Sequence, residues 1–222
     1  MKKDWDELYD FFDILNKNVE YVILRNWDEH SFEDILNGKD DIDILCYDKM
    51  KIVDIIGGIS LHHNFNRSNY YVDLGTRRIR VDIRYIGDGY YCRKWEEKLL
   101  ERRVLSEMGF YVLDTEDYFY SLLYHALIQK PRLSSKYCEK LNAMVHSGNS
   151  VVNEEEFLCI LQQYMDKNRF YVEHPSDCAV FLNRKNIRVG KLTIERNVKR
   201  ELLRTIYPVH KRMSKLLAKI MF

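Results

Sequence analysis

No two of the five cysteines (Cys46, Cys92, Cys138, Cys159 and Cys178) form a Cys-x-x-Cys pair, and their number is odd. That pattern excludes a zinc ribbon or a disulfide framework and fits free thiols in a reducing compartment. Behind Met1-Lys2-Lys3-Asp4-Trp5-Asp6 there is no apolar signal core, and no uncharged run is long enough to span a bilayer. The expectation is a cytoplasmic protein. Strong basicity is lacking too: the formal net charge is +1. A general nucleic-acid coat would be strongly basic, and no basic groove interleaved with aromatics is apparent, so no stable nucleic-acid partner is expected. Repeats and low-complexity tracts are absent. What the chain does hold is apolar material, 46% of its 222 residues with 16 Tyr and 10 Phe. That suffices for one large domain or a domain with a helical appendage.

Periodicity divides the chain. Residues 4–17 place Trp5, Leu8, Tyr9, Phe12 and Leu15 at helical spacing, and 19–24 is a β-rich run emptying into the turn Arg25-Asn26-Trp27-Asp28. A variable connection over 29–38 carries a helical turn. A helix follows over 48–56, with Asp48 as N-cap and Gly57-Gly58 as its stop, then a weak strand over 61–65. Residues 70–74 and 78–85, joined at Gly75-Thr76, read as a hairpin. Further helices are predicted over 95–103, 116–129, 134–144 and 153–165, with 110–113 a short apolar strand or loop. Ser147-Gly148-Asn149-Ser150 is the linker, and 196–222 reads as a basic helix interrupted at Pro208.

Chemistry concentrates in Lys39-Asp40-Asp41-Ile42-Asp43-Ile44-Leu45-Cys46. On a strand Asp41 and Asp43 project together while Ile42 and Ile44 point the other way. Adjacent like charges repel, and Asp is a poor strand former. One reading is a strand end with two solvated acids; the other is a carboxylate pair awaiting Mg²⁺ or Mn²⁺, which favour oxygen ligands. In Arg77-Arg78-Ile79-Arg80-Val81-Asp82-Ile83-Arg84-Tyr85, the apolar residues alternate with Arg80, Asp82 and Arg84. Asp82 alone could be an Arg-paired surface residue. Three converging carboxylates are what a two-metal phosphoryl-transfer site requires, with cations roughly 4 Å apart. The adjacent His62 and His63 face opposite ways on a strand and make a poor joint metal site.

The order of these parts resembles the nucleotidyltransferase-fold superfamily, and more closely the bacterial nucleotidyltransferase-like proteins often encoded among polysaccharide-synthesis genes. The matching residues are Val22-Ile23-Leu24-Arg25-Asn26, Asp40-Asp41-Ile42-Asp43-Ile44-Leu45 and Arg80-Val81-Asp82-Ile83-Arg84. The resemblance implies an α+β fold. Residues 1–114 would form a nucleotidyltransferase-like core, a short mixed sheet backed by helices, and 115–222 a helical C-terminal region closing the cleft. It implies transfer of a nucleoside monophosphate from a nucleoside triphosphate, ATP among them, to a hydroxyl of a small molecule or glycan precursor. Asp41, Asp43 and Asp82 would be catalytic and would hold Mg²⁺ (or Mn²⁺). Where the superfamily has Gly-Ser after its first strand, this chain has Arg25-Asn26, which would bind the phosphates together with Lys130, Arg132 and Tyr137. Two readings of Lys130 and Arg132 stay open, phosphate contacts or solvated helix-end cations; for His125, behind them, the plain reading is a satisfied core histidine.

Two rival functions share these residues. An Asp-x-Asp glycosyltransferase would hold Mn²⁺ on a sugar nucleotide and would not need Asp82. A non-catalytic nucleotide- or partner-binding member of the fold would keep the carboxylates without turnover, and the missing Gly-Ser pair supports it. The tail from Arg196, with Lys199, Arg200, Arg204, Lys211, Arg212, Lys215 and Lys219, reads either as a docked terminal helix with a solvated basic face or as a peripheral contact with anionic lipid. Oligomeric state is not legible.

Overall fold

The computed structural model describes residues 3–27, 29–60, 67–145, 151–188, 190–192, 202–210 and 212. The fold class is α+β. Helix α1 (Lys3–Asn18) leads into β1 (Tyr21–Ile23); α2 (Glu29–Leu36), β2 (Ile42–Cys46) and α3 (Lys49–Ile55) follow. Then come β3 (Ile59–Ser60), β4 (Asn69–Leu74), β5 (Arg77–Tyr85), α4 (Arg93–Glu101), β6 (Val104–Leu105) and β7 (Tyr111–Val112). The C-terminal half is helical: α5 (Thr115–Ile128), α6 (Ser135–Met144), α7 (Glu154–Asn168), a 3-10 turn at Arg184–Asn186, and helix over 202–210.

The strands form one mixed sheet in the order β3-β4-β5-β2-β1-β7-β6. β2 runs parallel to β5 and antiparallel to β1, and β1 runs parallel to β7. Both faces are covered. On one, Leu8, Phe11, Phe12 and Leu15 of α1 and Ile52 of α3 pack on Ile42, Ile44, Val81 and Ile83. Tyr9, which the helical spacing also admits to this stripe, is 45% exposed, and Phe11 takes the inward place. The other face packs Val22, Leu24 and Leu45 against α4, α5 and α7. Alternation therefore works as expected, except that the second face is apolar at β1 and at Leu45 of β2, whereas at Asp43 of β2 and at Asp82 and Arg84 of β5 it is charged.

Local signals explain the boundaries. Asp48 accepts from Lys51 N at 3.1 Å, Asp114 from Asp117 N at 2.8 Å, and Asn153 with Glu156 forms a capping box. The hairpin register pairs Leu74 with Arg77, so Gly75-Thr76 is its two-residue loop, with Gly75 at φ +53°. The predicted strand over 61–65 and the linker over 147–150 lie outside the described residues, as does most of the basic tail. Pro208 does not interrupt its helix, which runs through it over 202–210. Proline there removes one backbone donor, but Tyr207 is anchored beside it, buried against Cys178 and hydrogen-bonded to Arg67. Among the described residues no helix is long and apolar enough to cross a membrane.

The loop after β5 is clamped from α4. Glu96, fully buried, accepts from Gly87 N at 2.6 Å and Tyr91 N at 3.1 Å. Burial and the neighbouring Asp88 push its carboxyl up to about 9. Its neighbour Trp95, also fully buried, stacks on Phe170 at 4.9 Å and meets Tyr91 and Tyr124. This aromatic cluster ties the sheet side to the C-terminal half. Trp95→Ala is expected to destabilise the fold by about 3–5 kcal/mol, read as a lowered urea midpoint; a change under about 1 kcal/mol would refute that role.

Candidate active site

The parallel register of β2 and β5 sets Asp43 directly beside Asp82. Asp41 precedes β2 by one residue on the same side. All three carboxylates line one cleft of about 380 Å³, with Arg25, Asn26, Lys130 and Tyr137 on its wall. Of the residues expected from the sequence, Arg132 alone is left out. It is exposed past Pro131 and does not line the cleft, because the chain turns outward there after α5 ends.

The turn after β1 holds Asn26 at φ +59°. Asparagine tolerates this left-handed conformation better than most residues, and its Nδ2 donates to Asp40 Oδ2 at 3.1 Å. Arg25 is thereby directed inward, where Nη2 meets Asp43 Oδ1 at 2.5 Å with both groups buried. Arg84 is a second buried guanidinium. It donates to Asp82 Oδ2 at 2.8 Å, to Ser68 Oγ at 2.9 Å and to Asp177 Oδ2 at 3.4 Å. Its guanidinium lies 4.4 Å from the Tyr90 ring centroid, and Arg25 reaches the same ring at 5.8 Å. Arg67 pairs with Asp177 at 3.0 Å and hydrogen-bonds Tyr207 and Asn69.

Sequence reasoning missed Arg67, Tyr90, Gln129 and Asp177 as cleft residues. Asp177 lies 93 residues from Arg84 and 110 from Arg67, and a turn sequence carries no sign of partners so distant. Arg84 was visible as the neighbour of Asp82 on the same face of β5.

Five carboxylates (Asp40, Asp41, Asp43, Asp82 and Asp177) face four cations across the lining. Burial pushes Asp43 up to about 8; Arg25 opposes this, while Asp41 and Asp82 add to it. Asp41 is raised by burial and by Asp82. Lys130, half-buried at the rim, is lowered by burial and by Arg25. The carboxylates thus feel one another despite their arginine partners. Among the described residues no group of three or more His, Cys, Asp or Glu side chains is set to hold a metal ion. A preformed protein cage is not what Mg²⁺ needs, since it commonly uses one or two carboxylates plus substrate phosphates. Asp82 Oδ1 is buried with no hydrogen-bond partner, a vacant acceptor that suits such a cation.

No protein-family model and no curated protein matches the chain. A solved structure, the solution structure of the antibiotic-resistance factor ANT(2'')-Ia, aligns at 14% identity with a TM-score of 0.40, over 76% of this chain and 94% of that one. So slight a likeness carries no weight, and the functional reading rests on the cleft itself.

The raised Asp43 has a sign that can be checked. A carboxyl whose folded-state pKa exceeds its unfolded value, ordinarily ~3.9, binds more protons folded than unfolded in between. Its contribution is complete below about pH 4 and is lost as pH rises through about 8. Urea unfolding from pH 5 to 8 should therefore show stability falling less steeply in Asp43→Asn than in the wild type, the difference being at most about 1.4 kcal/mol per pH unit. Equal slopes would mean that Asp43 is not raised.

Proposed function

We propose that the chain is a nucleotidyltransferase-like enzyme that moves a nucleoside monophosphate from a nucleoside triphosphate to a hydroxyl of a small molecule or glycan precursor. The observation that carries this reading is the side-by-side placement of Asp43 and Asp82 on adjacent parallel strands, with Asp41 beside them, in one cleft that also presents Arg25 and Lys130. Carboxylates without cations would repel a triphosphate; here basic groups accompany them, so phosphate oxygens have donors to meet. Mg²⁺ entering with the substrate would be held by Asp41, Asp43 and Asp82 and would neutralise phosphate charge. The protein's share is to bind and orient: Arg25 and Lys130 take phosphate charge, Asn26 fixes the turn that aims Arg25, and Asp82 receives the proton of the attacking hydroxyl. The acceptor oxygen bonds to the α-phosphorus as the bond to the β-phosphate bridging oxygen breaks, and pyrophosphate leaves.

One observation favours a second reading. Arg25 and Asp43 are already paired at 2.5 Å, as in a module that binds nucleotides without turnover. Incubation with each of the four nucleoside triphosphates and Mg²⁺ or Mn²⁺ separates the two. On the enzymatic reading at least one raises the melting temperature and releases pyrophosphate once a hydroxyl acceptor is supplied. Asp43→Asn and Asp82→Asn should each cut that release by about 10²–10³-fold. Stabilisation without pyrophosphate across an acceptor panel selects the binding module, and nucleoside diphosphate release from a sugar nucleotide selects a glycosyltransferase.

A further inference from the structure

Gln129 fixes the protonation of His125. Its Nε2 donates to the Tyr90 carbonyl oxygen at 2.7 Å; a carbonyl oxygen only accepts, so the NH₂ end of the amide must face it. That leaves Oε1, another acceptor, 3.0 Å from His125 Nδ1. Two acceptors cannot share that contact without a proton, so Nδ1 carries one, and Tyr90 Oη, 2.9 Å from the same nitrogen, accepts a share of it. The tautomer follows from the network, as it must where hydrogens are unseen. A second proton on the ring is opposed by burial and by Arg25, Lys130 and Arg84.

Nε2 therefore bears a lone pair. No hydrogen bond engages it among the described residues, it is not among the enclosed polar atoms that lack partners, and His125 lines the cleft. The expectation of a satisfied core histidine holds for one nitrogen only. Tyr90 connects this ring to the reacting end of the cleft, because its own ring lies under the guanidiniums that bond Asp82 and Asp43.

We infer that His125 Nε2 is a hydrogen-bond acceptor held open for a hydroxyl of a phosphate-bearing ligand, and that it makes His125 a specificity residue of the cleft. The inference rests on the nucleotidyltransferase reading for which phosphate compound enters. Three cations nearby favour an anion and disfavour an ammonium donor; an uncharged O–H close to a phosphate matches both conditions. It can belong to the ribose of the nucleotide or to the acceptor sugar.

The test uses the whole chain. NMR of ¹⁵N-histidine-labelled protein should show Nδ1 protonated and Nε2 bare through neutral pH; a proton on Nε2 overturns the inference whatever binds. Affinities are then measured for wild type, His125→Phe and His125→Gln, the last keeping an acceptor near the Nε2 position. The probes are the four Mg²⁺-nucleoside triphosphates, their 2'- and 3'-deoxy forms, and glucose 1-phosphate added to nucleotide-saturated protein. His125→Phe should weaken one class by about tenfold, the scale of one hydrogen bond, and His125→Gln should recover most of it. A ribose source makes the wild type lose tenfold for one deoxy form while His125→Phe is indifferent to it. An acceptor source leaves nucleotide binding intact and weakens glucose 1-phosphate. Nucleotide binding with neither class affected sinks the inference alone; failure of the wild type to bind either class sinks it together with the nucleotidyltransferase reading.

Discussion

Two carboxylates held side by side on neighbouring strands are the constraint that the rest of the molecule accommodates. Strands lie about 4.8 Å apart, and like charges at that spacing repel by roughly 3 kcal/mol at an effective dielectric of 20. Asp43 and Asp82 are locked at that pairing by the β2–β5 register, and both are buried. The register cannot slip to relieve them, because a shift of one residue would turn Ile42, Ile44, Val81 and Ile83 out of the α1–α3 core. Relief comes from side chains instead. Arg25 and Arg84 each place a guanidinium on one carboxylate, and the Tyr90 ring lies against both cations.

That solution creates its own demand, since a buried guanidinium needs several partners, and Arg84 Nε still lacks one. Arg84 takes Ser68 and Asp177 in addition to Asp82. Asp177 in turn satisfies Arg67 and the backbone N–H groups of Ser68 and Ala179, and Arg67 reaches Tyr207 in the last described helix. The C-terminal half thus completes the charge balance of the sheet as well as covering it. On the other flank, His125 of α5 and Gln129 and Lys130 just beyond its end reach the same cleft.

The legible part of this arrangement was the part governed by period. Alternation along β5 gave the facing of Asp82 and Arg84, and the two-residue spacing gave that of Asp41 and Asp43. Helix caps at Asp48, Asp114 and Asn153 were readable because each bond spans three residues. What stayed hidden depends on contacts across the chain. Nothing within a few residues of Asp177 announces two arginines 93 and 110 positions away. Arg132 failed for a related reason: its distance from Lys130 in sequence is small, yet Pro131 ends the run between them, and only Lys130 stays at the rim. The Arg25-Asn26 pair looked like a loss against a Gly-Ser turn. Its backbone explains it differently, since Asn26 supplies the left-handed residue that the turn requires and leaves Arg25 aimed at Asp43.

Stability alone does not account for so much buried charge. Replacing a buried ion pair by packed apolar residues is often neutral or stabilising, and the face of the sheet next to the cleft shows such packing at Val22, Leu24 and Leu45. An apolar continuation over Asp43 and Asp82 was open to this fold. Instead the chain keeps Asp41 and Asp43, both raised by burial and by neighbouring carboxylates, and an Asp82 oxygen with no partner. A polar network with buried groups left without a hydrogen bond, here Asp82 Oδ1, Arg84 Nε and Asp88 Oδ2, is less stable than a closed one. Asp82 and Arg84 line the cleft, beside the groups that would meet phosphate and cation. On the proposed function a ligand bound there would supply what the protein withholds, and the free energy of burying these charges would be recovered on binding rather than on folding.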